Sequence, residues 1–109
     1  MKIGIDIIEV KRVAKLIKDK AFLNRVYTPR EIEYCKNKKN FAQHYAVRFA
    51  TKEAVWKALG KNNIPLRDIS VTNKSSGKPE AVVQGKKRKN IDISLSHTDN
   101  YAVAVAIIK

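Results

Sequence analysis

The chain has 109 residues, 23 basic against 10 acidic, a formal charge of +13 and one cysteine. That length makes one domain, residues 1–109, able to bury roughly 60–70% of the surface its unfolded chain exposes, and excludes a second. A lone Cys35 excludes an internal disulfide, two histidines without a Cys-x-x-Cys pair argue against structural zinc, and the charge calls for an anionic partner: nucleic acid, membrane surface, phosphorylated metabolite or acidic protein.

Residues 2–10, KIGIDIIEV, set Ile3, Ile5 and Ile7 against Gly4, Asp6 and Ile8 and read as a strand, which places Asp6 inside an otherwise apolar element. A basic helical stretch follows, with Val13, Leu16 and Ile17 at helical spacing and Lys11, Arg12, Lys15 and Lys18 on the wetter side. It breaks near YTPRE, where Thr28 can cap a new helix, Pro29 suits its first position and Glu31 completes a capping box; this helix is predicted to end near Lys36. NKKN is a polar linker. Asn40 can cap a long helix that Gly60 ends from its C′ position.

Beyond Gly60 the period changes. DISVT and EAVVQ, joined by NKSSGKP, and NIDISLS and YAVAVAII, joined by HTDN, read as strands, with GKKRKN as a charged turn. Helices in the first half and antiparallel strands in the second predict an α+β fold: an N-terminal strand and helices packed on a mainly antiparallel sheet. The apolar runs are too short to span a bilayer, and the N-terminus lacks the apolar stretch of a signal peptide. A cytoplasmic protein is expected.

RFATKEAVWKALG, residues 48–60, is apolar almost all round, as buried helices are, yet carries Glu53 and Lys57. An exposed pair four residues apart adds about 0.2–0.5 kcal/mol to a helix; alternatively Glu53 has a partner elsewhere, since an enclosed carboxylate must be paired or bound to a metal. Asp6 is a second carboxylate of the same kind. It could cap a neighbouring backbone or meet an arginine, or the two acids could converge on Mg²⁺, which takes oxygen ligands and often shares its site with substrate phosphates. Lys57, one turn beyond Glu53, would then hold an anionic phosphate, and Arg48 suits bidentate contact with a terminal one. The turn Gly77–Pro79 could approach a diphosphate, and His97 beside Thr98 at a strand end could clasp a phosphate, although a structural histidine is the commoner outcome. Neither a P-loop nor a Rossmann glycine motif is present. Ser96, His97 and Asp99 are too close in sequence to stack as a catalytic relay.

GIDIIEVKR, RFATKEAVWKALG and SLSHTDNYAVAVAI, with FLNRVYT and GKP between them, together resemble the signatures of holo-acyl carrier protein synthases, the small trimeric type of 4′-phosphopantetheinyl transferase. The resemblance runs in order over essentially the whole chain. It implies transfer of 4′-phosphopantetheine from coenzyme A to a serine of apo acyl carrier protein, releasing adenosine 3′,5′-bisphosphate, in support of fatty acid biosynthesis.

By the same resemblance Asp6 and Glu53 hold Mg²⁺, or Mn²⁺ in its place, and Lys57 contacts the phosphates. Arg48, His97 and Thr98 grip the 3′-phosphate, and Gly77, Lys78 and Pro79 line the nucleotide site, to which Gly60 and Ser96 also belong. The catalytic pair is Glu53 and Lys57, the base being Glu53 itself or a metal-bound water that it orients. Between Lys11 and Lys39 ten basic residues face three acidic ones, so Arg12, Lys15, Lys18 and Arg25 would steer an acidic carrier protein. A homotrimer with shared sites is implied by the family alone, and Ala102, Ala104 and Ala106 are compatible with close packing there.

Two other classes compete. A small nucleic-acid-binding module would explain the charge, but Phe and Tyr lie mostly among apolar neighbours instead of alternating with Lys and Arg, and Asp6 and Glu53 stay unexplained. A noncatalytic carrier-protein adaptor would keep the basic face and have no need of the carboxylates. Neither nucleic acid nor membrane is therefore expected as a partner.

Overall fold

The structure, a computed structural model, describes residues 1–60 and 63–109. The N-terminal alternation folds as strand β1, Lys2–Glu9, followed by helix α1, Val10–Leu16. The basic helical stretch does not run on to YTPRE. Asp19 interrupts it, its side chain accepting from the amides of Ala21 (2.8 Å) and Phe22 (3.4 Å) to cap a separate helix α2, Lys20–Val26. A carboxylate one residue ahead of a helix satisfies amides that have no partner inside it, and so starts a new helix.

Helix α3, Pro29–Lys36, begins as expected. The Glu31 amide donates to Thr28 Oγ1 (3.2 Å) and the Thr28 amide to Glu31 Oε1 (2.9 Å), the reciprocal capping box. The long helix α4, Phe41–Leu59, starts after Asn40, which occupies the cap position without a side-chain bond; its carbonyl accepts from the amides of Gln43 and His44 instead. Gly60 stands at the C-cap, one place earlier than expected, with φ 80°.

The strands form two antiparallel sheets where a single one was expected. One has the order β1-β6-β5, the other β2-β3-β4, with β2 Ile69–Asn73, β3 Pro79–Val83, β4 Lys86–Lys87, β5 Ile91–His97 and β6 Tyr101–Ile108. GKKRKN is thus not only a turn: Lys86 and Lys87 pair with Val83 and Val82. Gln84 and Gly85 both have positive φ, as a two-residue type I′ hairpin requires.

Helix α4 lies across β1, β6 and β5 and reaches β2. It comes closest at Gly4, where an added Cβ would stand 1.9 Å from the Ala54 carbonyl oxygen and 2.6 Å from the Ala58 amide nitrogen. Gly4, Asp6 and Ile8 share that inner face with Ala106, Ala104 and Ala102, their register partners on β6. Those three alanines are buried beneath the helix, so they serve intramolecular packing and not a subunit contact. Ile3, Ile5 and Ile7 turn the other way and are 61%, 59% and 65% exposed, beside Ile107, Val105 and Val103. A row that reads as core from alternation is an uncovered aliphatic face.

Candidate active site

Strand β1 and helix α4 bring the two suspected carboxylates together. Asp6 lies on the inner face of β1, and Lys57 Nζ donates to Asp6 Oδ1 (3.1 Å) and to the Ile5 carbonyl oxygen (3.0 Å). Glu53 is one helical turn before Lys57. Burial raises the Glu53 pKa above its ordinary value, and the nearby Asp6 charge raises it further, with Lys57 and Arg12 pulling the other way. Like charges close enough to act on each other in this way favour a proton or a cation between them.

Asp6 Oδ2 is buried and accepts no hydrogen bond. A buried carboxylate oxygen without a donor costs free energy, and a divalent cation would satisfy it. No group of three or more His, Cys, Asp or Glu side chains able to hold a metal occurs among the described residues. Two carboxylates nonetheless suit an ion that takes its remaining ligands from water and substrate phosphates; the donor set fits Mg²⁺.

Glu53 also lines a cavity of about 520 Å³ with Arg25, Val26, Trp56, Pro65 and Leu66. Arg12 and Arg25 therefore flank the carboxylates. Lys15 and Lys18 face elsewhere, into a separate groove with Lys11, Ile17, Lys36 and Phe41.

Arg48 stands at the meeting of three further cavities. It lines one of about 150 Å³ with His44, Leu95 and His97, one of about 220 Å³ with Tyr34, Asn73 and Pro79, and one of about 350 Å³ with Thr28, Arg30 and Thr72. His97 and Pro79 thus border two separate cavities that share Val47, Arg48 and Leu95 as lining.

The remaining suspected residues are placed differently. Thr98 forms the β5–β6 turn, its Oγ1 accepting from the amides of Asn100 (3.2 Å) and Tyr101 (3.0 Å). Ser96 pairs with Val103 on the uncovered face, opposite to His97. Gly77 and Lys78 are exposed in the β2–β3 turn, where Lys78 Nζ lies 3.8 Å from Asp92. Gly60 closes α4 three residues after Lys57.

The buried charge in the central helix is Lys52, a residue the sequence reading passed over. Its side chain is 1% exposed and pairs with Glu31 Oε1 at 2.8 Å, while Nζ also donates to the carbonyls of Leu66 and Ile69. The signal was available: Lys52 stands three residues from both Phe49 and Val55, inside the apolar stripe.

Paired carboxylates beside a cluster of cations, on a two-sheet α+β fold, suit an enzyme acting on a phosphorylated substrate. The model of the 4′-phosphopantetheinyl transferase superfamily matches residues 2–106, and the chain belongs to that family. Its relatives include the holo-[acyl-carrier-protein] synthases of Thermodesulfovibrio yellowstonii, 45% identical over 97% of this chain and 96% of that one, and of Geotalea daltonii, 39% identical over 97% and 95%. Among solved structures, the Bacillus anthracis holo-(acyl-carrier-protein) synthase in complex with CoA (3′,5′-ADP) superposes with a TM-score of 0.81 at 33% identity, covering 98% of this chain and 94% of that one. The Helicobacter pylori holo-[acyl-carrier-protein] synthase in complex with coenzyme A gives 0.81 at 31% identity, over 98% and 99%. The resemblance expected from the motifs is borne out in family and fold.

Proposed function

We propose that the chain transfers 4′-phosphopantetheine from coenzyme A to a serine hydroxyl of apo acyl carrier protein, giving holo carrier and adenosine 3′,5′-bisphosphate in support of fatty acid biosynthesis. The observation that carries the mechanism is the buried, unpartnered Asp6 Oδ2 next to a Glu53 whose pKa is raised. Both favour a cation between the acids. Asp6 and Glu53 would hold Mg²⁺, with Mn²⁺ as a substitute, and the ion when bound supplies neutralisation of the diphosphate's charge.

The rest falls to the chain's own side chains. Glu53 accepts the serine proton, directly or through a water that it orients. The serine oxygen bonds to the β-phosphorus as the bond to the 5′-phosphate oxygen of the nucleotide breaks, and the electron pair leaves on adenosine 3′,5′-bisphosphate. Of the three ammonium hydrogens of Lys57, the described partners Ile5 O and Asp6 Oδ1 take two, which leaves one for a phosphate oxygen. Arg48 and His97 grip the 3′-phosphate, and the nucleotide runs toward Pro79.

Arg12 and Arg25 orient the acidic carrier at the reaction centre, while Lys15 and Lys18 contribute long-range attraction. Nucleic acid fits less well, since Asp6 and Glu53 would repel its phosphates. The uncovered aliphatic face of β1 and β6 supports a homotrimer with sites between protomers, because contiguous apolar patches of this kind mark association surfaces. No helix among the described residues is long and apolar enough to cross a membrane, and we place the protein in the cytoplasm with its carrier.

Intact-protein mass spectrometry tests the reading. With coenzyme A and Mg²⁺, apo carrier protein should gain one phosphopantetheine, and a chelator should stop it; no gain with an authentic carrier would defeat the proposal.

A further inference from the structure

The guanidinium of Arg48 carries a charge that no ion pair neutralises among the described residues. What it has is an aromatic seat: its Cζ lies 4.3 Å from the centroid of the Tyr34 ring, and Nη1 donates a long bond to the His44 carbonyl oxygen (3.5 Å). Lys38 Nζ lies over the same ring at 4.4 Å, and the His44 ring meets it edge-on at 5.8 Å. Glu31, which borders the same cavity, has its carboxylate committed to Lys52 and to the Thr28 amide. The surroundings of Arg48 thus seat the guanidinium over a ring and leave its charge unspent.

An unfixed arginine loses much rotamer entropy when it binds. A ring face that fixes the plane in advance removes part of that cost and leaves the in-plane N–H groups free for an anion. The positive potential is shared: desolvation holds the His44 pKa down, and Arg48, Lys38 and His97 depress it further.

We propose that Tyr34 is a positioning residue that sets Arg48, with Lys38 as a second cation, to grip the 3′-phosphate of the nucleotide. This rests on the reading of Arg48 given under the proposed function. Tyr34 sits on α3 and is 47% exposed, so its ring is available to serve a site and contributes little to the core.

The test is steady-state kinetics of the full chain with apo carrier protein, comparing coenzyme A with 3′-dephospho-coenzyme A. Tyr34→Leu should raise KM for coenzyme A about fivefold, the scale of one cation–π contact, with kcat and the KM for the dephospho substrate unchanged. Tyr34→Phe, which keeps the ring, should match the parent, and Tyr34→Leu should cost less in an Arg48→Gln background than it does alone, Lys38 being the cation that the ring still seats. Should the leucine variant not fold, Tyr34→Gln supplies the same comparison. Equal effects on both substrates, or no effect on either, overturn the inference. If Arg48→Gln discriminates between the substrates and Tyr34→Leu does not, the inference alone is lost; if Arg48→Gln treats both alike, the phosphate reading fails and takes the inference with it.

Discussion

Lys52 Nζ lies 2.8 Å from Glu31 Oε1, with the lysine side chain 1% and the glutamate 11% exposed, so one carboxylate joins the first turn of α3 to the middle of α4. Glu31 also closes the capping box with Thr28, and Lys52 also ties the loop that leads into β2 through Leu66 and Ile69. This pair holds α3, and with it Tyr34, against the helix that carries Glu53.

Breaking one side of that pair should cost far more than a surface ion pair would. Glu31→Gln leaves an enclosed ammonium without its counter-charge, and a loss of about 3–5 kcal/mol is expected in urea denaturation. Adding Lys52→Met to it should recover part of the loss, because the second change removes the stranded charge. Strictly additive losses would show that the two side chains are not coupled.

Gly4→Ala should destabilise and inactivate together. The new Cβ meets backbone atoms of Ala54 and Ala58, which cannot rotate away, so β1 must lift from α4. Overpacking of this kind costs typically 1–3 kcal/mol. Asp6 rides on β1 and moves away from Glu53 with it. Thermal melting and turnover measured on one preparation check this, and a variant that melts like the parent would mean the strand shifts freely.

Glu53→Gln should lose activity by about 10²–10⁴-fold and yet gain stability at pH 7 when divalent ions are absent. The sign follows from the raised pKa of Glu53 in the fold: the folded state holds the proton more tightly, so the stability this group contributes is full below pH 4.5 and is lost as pH rises through the raised folded value. The glutamine has no such slope. Mg²⁺ should raise the melting temperature of the parent at pH 7 and leave Glu53→Gln and Asp6→Asn unmoved. An equal rise in all three would remove these acids as its ligands.

If the proposed homotrimer forms through this face, Ile5→Glu should dissociate it while sparing the monomer fold, because Ile5 is 59% exposed on the uncovered face of β1. Sedimentation velocity should show the smaller mass, and activity should fall with it if neighbouring protomers complete each site. An unchanged mass would move the association surface elsewhere.

Much of the candidate site was legible in the chain because its chemistry conflicts with its setting. A carboxylate in an isoleucine strand and another in an apolar helix are expensive unless something binds them, and that conflict singles out Asp6 and Glu53 without coordinates. The Thr28–Glu31 box, the strand segments and the end of α4 at Gly60 were readable for a different reason: each is decided by hydrogen bonds or backbone preferences within a few residues. The short β4 and the Asp19 cap escaped because such signals are weak in runs of two to seven residues.

Alternation alone says that β1 has two faces; only the approach of α4 to Gly4 decides that Asp6 turns inward and the isoleucines outward. The partner of Lys52, 21 residues away in sequence, the seat of Arg48 on Tyr34, and the separation of the strands into two sheets are likewise decided by tertiary packing. Local hydrogen bonds are written in neighbouring residues, whereas the pairing of buried charges depends on which surfaces the whole chain excludes from water. The amino-acid order therefore determined the candidate groups and most of their secondary structure, and the packing of β1 beneath α4 brought Asp6, Glu53 and Lys57 together.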